Sequence, residues 1–312
     1  MILITGGLGY LGGRIAKDML DFGFQVRLGS SKTNPIIPKE LSSCDVVLCD
    51  LTSKRTLKKA CTGISTIIHL ASPNAQDCND NPRMALLANG LGTLELLEAA
   101  IEKGVSKFIY ISTAHIYGSP LEGRIHEFSV PRPVHNYSIT HRLAEDYVLH
   151  ANRRNNISTI IFRLTNGVGS PINKEANCWM LVVNDLCKQV VLNKEMRLYS
   201  SKLYQRDFIP ISSVCAIVRR ALEIDSFDGE ILNISSNKAL TLQAVTDLIA
   251  NRSEKILGFR PSIRFNQTKS HSSFQPLFIS NNKLLKFGFV VETDITSEID
   301  RLLLNCKKWF AQ

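Results

Sequence analysis

Residues 5–12 read Thr-Gly-Gly-Leu-Gly-Tyr-Leu-Gly, and this stretch decides the fold of the chain. A short apolar run, Ile2-Leu3-Ile4, precedes it, and a helix-like segment at 14–22 follows. Glycine allows a tight turn and lets the backbone come close to a ligand. The helix that starts after the turn offers unpaired N–H groups and a positive dipole end to a phosphate. The segment therefore predicts a site for the diphosphate of a dinucleotide.

The spacing of these glycines is weak evidence when it is taken alone. Gly6, Gly9 and Gly12 follow the pattern G-x-x-G-x-x-G, whereas the dinucleotide fingerprint is G-x-G-x-x-G. Glycine-rich turns also end ordinary structural elements. Because a strand precedes this turn and a helix follows it, the dinucleotide interpretation is favoured.

Apolar strands alternate with helical segments along the first half of the chain. Strands are predicted at 2–4, 25–28, 46–49, 66–71, 107–112 and 158–164, and helices at 91–103 and 137–151. Such alternation is typical of an α/β fold with a Rossmann-type, doubly wound parallel sheet. In such a sheet the ligand lies at the carboxyl ends of the strands.

The pattern becomes irregular after Gly167 and predicts a second, smaller part of the molecule. We expect a dinucleotide-binding domain at 1–167, to which 207–235 returns with a helix and a strand. The segments 168–206 and 236–312 are expected to form a smaller substrate-binding part.

Composition and charge narrow the class of protein. Of the 312 residues, 44% are hydrophobic and 21% charged, which is ordinary for a globular protein. The net charge of +9 is uneven: residues 1–150 carry 15 Lys and Arg against 14 Asp and Glu, and residues 151–312 carry 22 against 14. The excess of positive charge in the second half suits an anionic ligand such as a diphosphate. Because no basic run interleaved with aromatic residues occurs, nucleic acid is not expected as a partner.

Neither an export signal nor an apolar run of membrane-spanning length is recognised, so we expect a cytoplasmic protein without a membrane span. The eight cysteines are scattered and form no C-x-x-C pair. This predicts reduced thiols and no metal site.

Several short motifs resemble those of the extended short-chain dehydrogenase/reductases, a family of nucleotide-sugar epimerases, dehydratases and reductases. Together they cover nearly the whole chain in the family's order. They are Thr5 to Gly12, Asp50-Leu51, His69-Leu70-Ala71, Asn89 with Gly92-Thr93, Ser112 to Gly118, Tyr137, Arg163 with Asn166, and Arg206-Asp207-Phe208-Ile209. The resemblance implies hydride transfer between NADP or NAD and a carbon of a nucleotide-linked sugar.

The resemblance also assigns the catalytic residues. Tyr137 would be the acid/base, and Thr113, next to Ser112, would hold the same substrate oxygen. In the family, a lysine four residues after the tyrosine binds the nicotinamide ribose and lowers the pKa of the tyrosine. A free tyrosine has a pKa of about 10 and needs such help to act as a base near neutrality. His141 stands at the lysine position in this chain.

Three interpretations of His141 remain open at this point. Residues four apart on a helix share a face, so His141 is expected beside Tyr137 under the cofactor. It could replace lysine with lower efficiency, because imidazole carries only a partial charge near neutral pH. Another cation, such as Arg142, could assist. Alternatively, the protein binds the cofactor and performs little chemistry.

The end of the second strand bears on the choice of cofactor. An acid there would bind the ribose hydroxyls of NAD and repel the extra phosphate of NADP. Ser30, Ser31 and Lys32 occupy this stretch, which favours NADP. The residues expected to contact the cofactor are Gly6, Gly9, Tyr10, Leu11, Gly12, Ser30, Ser31, Lys32, Asp50, Leu51, Leu70, Ala71, Asn89 and His141.

The substrate residues follow from the resemblance as well. Asn166 and Arg206 match family residues near the sugar diphosphate, and an arginine can bind a phosphate through two parallel N–H bonds. His115 either faces the substrate or packs in the core. The 4,6-dehydratases of the family carry Thr-Asp-Glu where this chain has Thr113-Ala114-His115, so dehydration is not expected.

Three functions are therefore compared. The first is epimerisation or reduction of a nucleotide-linked sugar, with Tyr137 as acid/base. The second is NADPH-dependent reduction of another ketone. The third is non-catalytic dinucleotide binding, which the histidine at position 141 keeps open. Family members often dimerise through the helices predicted at 91–103 and 137–151, so a homodimer is expected.

Overall fold

The computed structural model describes residues 1–154, 156–265 and 275–311. The strands are, in chain order, β1 (Ile2–Thr5), β2 (Val26–Ser30), β3 (Asp45–Leu48), β4 (Thr66–His69), β5 (Lys107–Thr113), β6 (Arg124–Ile125), β7 (Ser158–Leu164), β8 (Asn166–Val168), β9 (Glu195–Leu198), β10 (Gln205–Pro210), β11 (Asp228–Ile234), β12 (Ala239–Thr241), β13 (Ser262–Phe265) and β14 (Phe278–Ile279).

The α-helices lie between these strands and after them. They are α1 (Tyr10–Asp21), α2 (Lys54–Cys61), α3 (Ala75–Asp80), α4 (Pro82–Ala85), α5 (Gly92–Glu102), α6 (Asn136–Arg153), α7 (Val182–Asn193), α8 (Ile211–Leu222), α9 (Leu242–Leu257), α10 (Asn282–Lys286) and α11 (Thr296–Phe310).

Seven strands form the central sheet in the order β11-β7-β5-β4-β1-β2-β3. Every neighbouring pair in it is parallel. The chain moves outward from β1 to β2 and β3 on one side and to β4 and β5 on the other. The order therefore reverses between β1 and β4, which is where ligands bind in doubly wound sheets. The prediction of a Rossmann-type parallel sheet is confirmed.

Helices cover both faces of this sheet and bury two apolar cores. On one face, α1 packs against α8 over a core that includes Ile4, Ile15 and Val214. On the other face, α2 and α6 both pack against α5, over a core that includes Leu3 and Phe108. Neighbouring residues of one strand point to opposite faces, so Leu3 and Ile4 lie in different cores.

The later segments form a smaller part with its own core. A three-stranded sheet has the order β12-β10-β8, and β9 pairs with β13. Helices α7, α9 and α11 pack together over an apolar core. β11 returns to the central sheet and pairs with β7. Residues 266–274, within the predicted substrate-binding segment 236–312, lie outside the described residues.

The segment Pro82–Glu102 is one helix with a π-helical turn, Leu86–Leu91, between α4 and α5. We expected no apolar run of membrane-spanning length, and this helix corrects that expectation by its length and composition. However, 56% of its most apolar window is buried in the fold, and a core helix of a globular protein meets the same criteria.

Most strand and helix ends lie within two residues of the predicted ones, but α1 begins at Tyr10, four residues before the predicted start at 14. The fourth strand was expected to reach residue 71, but β4 ends at His69. The physical reason is local: the N–H groups of Leu70 and Ala71 both donate to the hydroxyl of Thr5 and so leave the ladder of the sheet.

Candidate active site

A cleft of about 720 Å³ opens at the carboxyl ends of the central strands. The segments after β1, β2, β4 and β5 line it, as does the first part of α6. The predicted site residues that line the cleft are Gly6, Gly9, Tyr10, Leu11, Gly12, Ser30, Ser31, Lys32, Leu70, Ala71, Ser112, Thr113, Tyr137 and His141. The tertiary structure therefore brings most of the predicted cofactor and catalytic residues into one space.

The glycine turn has a shape that only glycine allows. Gly6 has a φ of +65°, in the left-handed region. A Cβ on Gly12 would lie 2.2 Å from the carbonyl oxygen of Gly6, closer than any real contact. The turn leads directly into α1, so unpaired N–H groups and the positive dipole end face the cleft. The cradle fits a dinucleotide diphosphate.

The hydroxyl of Thr5 joins the end of β1 to the end of β4. It accepts from the N–H groups of Leu70 and Ala71, and it lies 2.7 Å from Nδ1 of His69. Nε2 of the same ring lies 2.9 Å from the Thr93 hydroxyl on α5. Burial lowers the pKa of His69 to about 3, so this ring is neutral and structural. It fixes the floor of the cleft.

Tyr10 links the cradle to the smaller part of the molecule. Its hydroxyl donates to the carbonyl oxygen of Gly169 at 3.0 Å and lies 3.2 Å from Oδ1 of Asn184 on α7. The ring therefore supports the wall of the cleft, while the backbone of Tyr10 begins α1.

Tyr137 lies in the first turn of α6 on the cleft wall. Thr113, at the end of β5, lines the same cleft. Burial raises the pKa of Tyr137 to about 12, with the nearby Cys78 thiol acting in the same direction. Tyr137 and Thr113 therefore face the same space, as the residues after β1 and β2 do. The phenol, however, holds its proton at neutral pH.

His141 lies beside Tyr137 as expected, with ring centroids 4.4 Å apart and the rings edge to face. It is 4% exposed, and burial lowers its pKa to about 3, with His115 and His135 adding to the effect. The partial positive charge that we expected near neutrality is therefore absent. A desolvated imidazole avoids protonation because burial disfavours the charged form.

Arg142 does not supply the missing charge to Tyr137. Its guanidinium pairs with Asp146 at 2.6 Å and with Glu145 at 3.4 Å. Glu145 also binds Arg163 at 2.7 Å in an ion pair of which both members are buried. Ser112 lines the cleft but donates its hydroxyl to Glu145 at 2.6 Å. These contacts engage both Arg142 and Ser112 in the support of α6.

Three predicted cofactor residues do not line the cleft in the part of the chain that the structure describes. Asp50 accepts from the N–H and hydroxyl of Thr52. Leu51 is buried, and a Cβ on Gly92 would lie 2.7 Å from its Cβ. Asn89 lies in the π-helical turn and donates to the Thr140 hydroxyl at 3.0 Å. These contacts hold the loop after β3 and the start of α6.

The three predicted substrate residues, Asn166, Arg206 and His115, are not among the described residues that line the cleft. Asn166 donates to the carbonyl oxygen of Asp207 at 2.8 Å. Arg206 is exposed and has no ion-pair or hydrogen-bond partner among the described residues. His115 lies close to Arg206 and stacks edge to face with His135 at 5.6 Å. Burial lowers the pKa of His115 to about 4, and its Nδ1 has no described partner.

Sequence reasoning missed two residues that contact His141. Tyr110 lies 2.7 Å from Nδ1 of the ring, and Ser72 lies 3.2 Å from Nε2. Every residue of β5 from Phe108 onward is buried, so no alternation of polar and apolar residues could distinguish Tyr110. Ser72 follows the His69-Leu70-Ala71 motif directly, which was the available signal.

A parallel doubly wound sheet with a glycine cradle at its switch point defines the class of Rossmann-type dinucleotide-binding proteins. The match to a family model is consistent with this class: residues 2–235 match the NAD dependent epimerase/dehydratase family. The chain belongs to this family.

Individual relatives are distant but nearly full-length. A protein from Methanocaldococcus jannaschii named "Putative UDP-glucose 4-epimerase" is 24% identical over 310 residues, which cover 97% of each chain. The structure of MoeE5 in complex with UDP-glucuronic acid and NAD superposes with a TM-score of 0.82 at 21% identity, over 98% of this chain and 99% of that one. RMD from Pseudomonas aeruginosa complexed with NADPH has a TM-score of 0.78 at 20% identity, over 98% and 99%.

Proposed function

We propose that this protein transfers a hydride between NAD(P) and a carbon of a nucleotide-linked sugar, as an epimerase or a keto-sugar reductase. One observation carries the proposal: Tyr137 and Thr113 both line the cleft into which the glycine cradle opens. A proton-transfer group and a dinucleotide cradle therefore share one space.

Bound in the cleft, the nicotinamide would supply or accept the hydride. Tyr137 would exchange a proton at its Oη with the substrate oxygen. Thr113 would hold the same oxygen through its hydroxyl, and Ser112 would keep α6 in place through Glu145. His141 would act through hydrogen bonding, because its imidazole is neutral.

The segments 168–206 and 236–312 are proposed to bind the substrate. Arg206 is a cation without a described partner, and Asn166 lies on the neighbouring strand β8. A guanidinium matches the geometry of a diphosphate and binds it with charge and direction. His115 would complete this side of the site. The relative bound to UDP-glucuronic acid supports a nucleotide sugar as the substrate class.

NADP is the proposed preference over NAD. Ser30, Ser31 and Lys32 line the cleft at the end of β2. The carboxylates among the described lining residues, Asp77 and Glu175, belong to other segments. Without an acid at the strand end, nothing there repels the extra phosphate of NADP, and Lys32 attracts it.

Dehydration of the sugar is not part of the proposal. Ala114 and His115 stand where 4,6-dehydratases of this family carry two acids, so the groups for elimination are absent from those positions. Non-catalytic dinucleotide binding is the second candidate, and the observation that favours it is the neutral His141 beside Tyr137.

The proposal is tested with a panel of UDP-, GDP- and dTDP-linked sugars and keto sugars, assayed with NADPH and with NAD. The proposal is supported if one of these substrates is turned over and Tyr137→Phe lowers the rate by about 100-fold or more while NADPH binding stays unchanged. Stoichiometric NADPH consumption identifies a reductase, and retained cofactor identifies an epimerase. NADPH binding without turnover on the whole panel would favour the non-catalytic candidate.

Arg206→Ala provides the test of the substrate class. Nucleotide-sugar binding should be lost while NADPH binding stays. Unchanged turnover of a ketone that carries no diphosphate would instead indicate reduction of another ketone, and the sugar assignment would then be wrong.

A homodimer and a reducing compartment such as the cytoplasm are also proposed. Met84, Leu91 and Ile139 are apolar side chains that are 43%, 44% and 48% exposed on the helix Pro82–Glu102 and on α6. All eight cysteines are free thiols. Light scattering should give twice the chain mass for the native protein and the monomer mass for Ile139→Glu.

A further inference from the structure

The hydrogen bonds around His141 fix which of its nitrogens carries the proton. The Ser72 hydroxyl donates its single proton to the carbonyl oxygen of Pro73 at 2.8 Å. The same oxygen lies 3.2 Å from Nε2 of His141, so it must accept from that nitrogen. Nε2 therefore carries a hydrogen and points it toward Ser72, on the cleft wall.

Tyr110 determines the state of the other nitrogen. Its hydroxyl lies 2.7 Å from Nδ1 of His141 and has no other partner among the described residues. If Nδ1 were also protonated, two donors would face each other, or the buried phenol proton would lose its acceptor. Leaving a buried donor unpaired costs about 1–3 kcal/mol. Tyr110 therefore donates to Nδ1, and the ring is the neutral Nε2–H tautomer.

Burial supports the same assignment. Tyr110 is 2% exposed and His141 is 4% exposed. The Tyr110 ring stacks between His69 at 5.5 Å and His141 at 5.9 Å. Burial raises the pKa of the Tyr110 phenol well above its usual value and lowers that of His141 to about 3. Neither member of the pair ionises near neutral pH.

No described group supplies a positive charge next to the Tyr137 phenol. The titratable groups that surround Tyr137, His141 and Tyr110 are Cys78 on α3, His69 on β4, His115 after β5, His135 before α6 and Glu145 on α6, with Arg206 acting on His115. The three histidines beside Tyr137 and His141 are neutral or weakened as bases by burial.

We propose that Tyr110 is a positioning residue that locks His141 as a neutral donor, so that Tyr137 keeps its proton and the site works as a proton donor for carbonyl reduction. This inference rests on the proposed function and specifies its direction. Tyr110 itself lies behind His141 and would touch neither substrate nor cofactor.

The direction follows from the balance of the step. In reduction, the carbonyl carbon gains a hydride from the reduced nicotinamide, the oxygen gains the Tyr137 proton, and water returns a proton to the phenolate. Oxidation of an alcohol requires the phenolate before the step begins. A phenol that stays protonated serves the first reaction and not the second.

The tautomer can be measured on the cofactor-free protein by ¹⁵N NMR of labelled histidine side chains, with His141→Gln identifying the His141 signals. We expect an Nε2–H imidazole that does not titrate between about pH 5 and pH 8. In Tyr110→Phe, Ser72 still accepts from Nε2–H but nothing donates to Nδ1, so we expect the Nδ1 signal to shift and the imidazole to take up a proton more easily than in the native protein. Tyr147→Phe is the matched control, because it removes the hydroxyl of a half-buried tyrosine on α6. It should leave the His141 signals unchanged. An imidazolium or an Nδ1–H tautomer in the native protein would overturn the proposal.

A second readout follows the Tyr137 phenol. Phenolate absorbance is compared between the native protein and Tyr137→Phe from about pH 7 to pH 10, without cofactor and with NADP⁺ added. We expect no phenolate from Tyr137 in the native protein and a clear phenolate signal in His141→Lys. If Tyr137 of the native protein gave a phenolate signal at about pH 7, the inference would be wrong.

These readouts separate the inference from the proposed function. The histidine tautomer and the phenol titration need no sugar substrate, so they stand or fall by themselves. If the expected tautomer is observed but no nucleotide sugar reacts, the proposed substrate class is wrong. The assignment of the Tyr110–His141 pair would still hold.

Discussion

The ring of His141 lies 4.4 Å from the ring of Tyr137, edge to face, and the imidazole is neutral. A lysine in the same place would carry a full charge. The proposed acid/base therefore packs against a neutral ring, and no cation among the described residues takes the place of that lysine.

His141→Lys should make alcohol oxidation easier. An ammonium within about 4–6 Å lowers the pKa of a phenol by about 1–3 units. Since oxidation needs the phenolate, its rate near pH 8 should rise by about tenfold or more, and the native enzyme should show a tenfold rise per pH unit. His141→Gln, which adds no charge, is the control. Loss of all activity in the lysine variant would mean that the imidazole has a task of its own.

Gly12→Ala should abolish NADPH binding. The new Cβ would lie 2.2 Å from the carbonyl oxygen of Gly6, so the turn must open or distort. Such overpacking costs about 1–3 kcal/mol of the free energy of unfolding. Gly167→Ala is the control, because its Cβ would meet only Ile211 at 3.5 Å. Calorimetry with NADPH and denaturant unfolding measure both effects, and normal binding by Gly12→Ala would contradict the assigned cradle.

Ser30→Asp should reverse the cofactor preference. A carboxylate at the end of β2 repels the extra phosphate of NADPH and can bind the ribose hydroxyls of NADH. We expect NADPH binding to weaken by about tenfold or more and NADH binding to stay or improve. Ser30→Asn has nearly the same size and no charge, and it serves as the control. Equal effects of both variants on both cofactors would argue against recognition at this strand end.

Glu298→Gln should strongly destabilise the fold. Arg14 on α1 and Glu298 on α11 form a buried two-bond ion pair, with contacts of 2.5 and 2.9 Å. Removing one charge leaves the other buried and costs about 3–5 kcal/mol. Asp300→Asn breaks the more exposed pair with Arg252 on the same helix and should cost much less. Denaturant midpoints compare the two variants, and equal losses would contradict the difference in burial.

Acid should weaken the fold below about pH 6.5. The folded pKa values of His69 and His141 are about 3, below the usual value, so the unfolded chain binds protons that the folded chain excludes. Each group then lowers the free energy of unfolding by about 1.4 kcal/mol per pH unit as the pH falls toward the folded pKa. His141→Gln should make this pH dependence shallower. An unchanged slope in His141→Gln would contradict a buried, neutral imidazole.

A parallel doubly wound sheet, with the cleft at the carboxyl ends of its strands, was predictable from local patterns. Apolar strands that alternate with helical segments favour a parallel sheet, because helices on both faces of the sheet then bury its apolar residues. The glycine turn indicated the cradle, because the backbone shape of the turn depends on three residues that are close in sequence, Gly6, Gly9 and Gly12. The small sheet of β8, β10 and β12 was not predicted, since three-residue strands carry too little pattern.

The sequence by itself determined the sheet, the glycine cradle and the pairing of Tyr137 with position 141, because each depends on neighbours along the chain. Only the tertiary structure decided that His141 is neutral and that Ser112 serves Glu145. Those properties depend on burial and on distant partners: Tyr110 lies 31 positions from His141 in sequence, and Glu145 lies 33 positions from Ser112. Charge state is a property of the surroundings, and the surroundings exist only once the chain has folded.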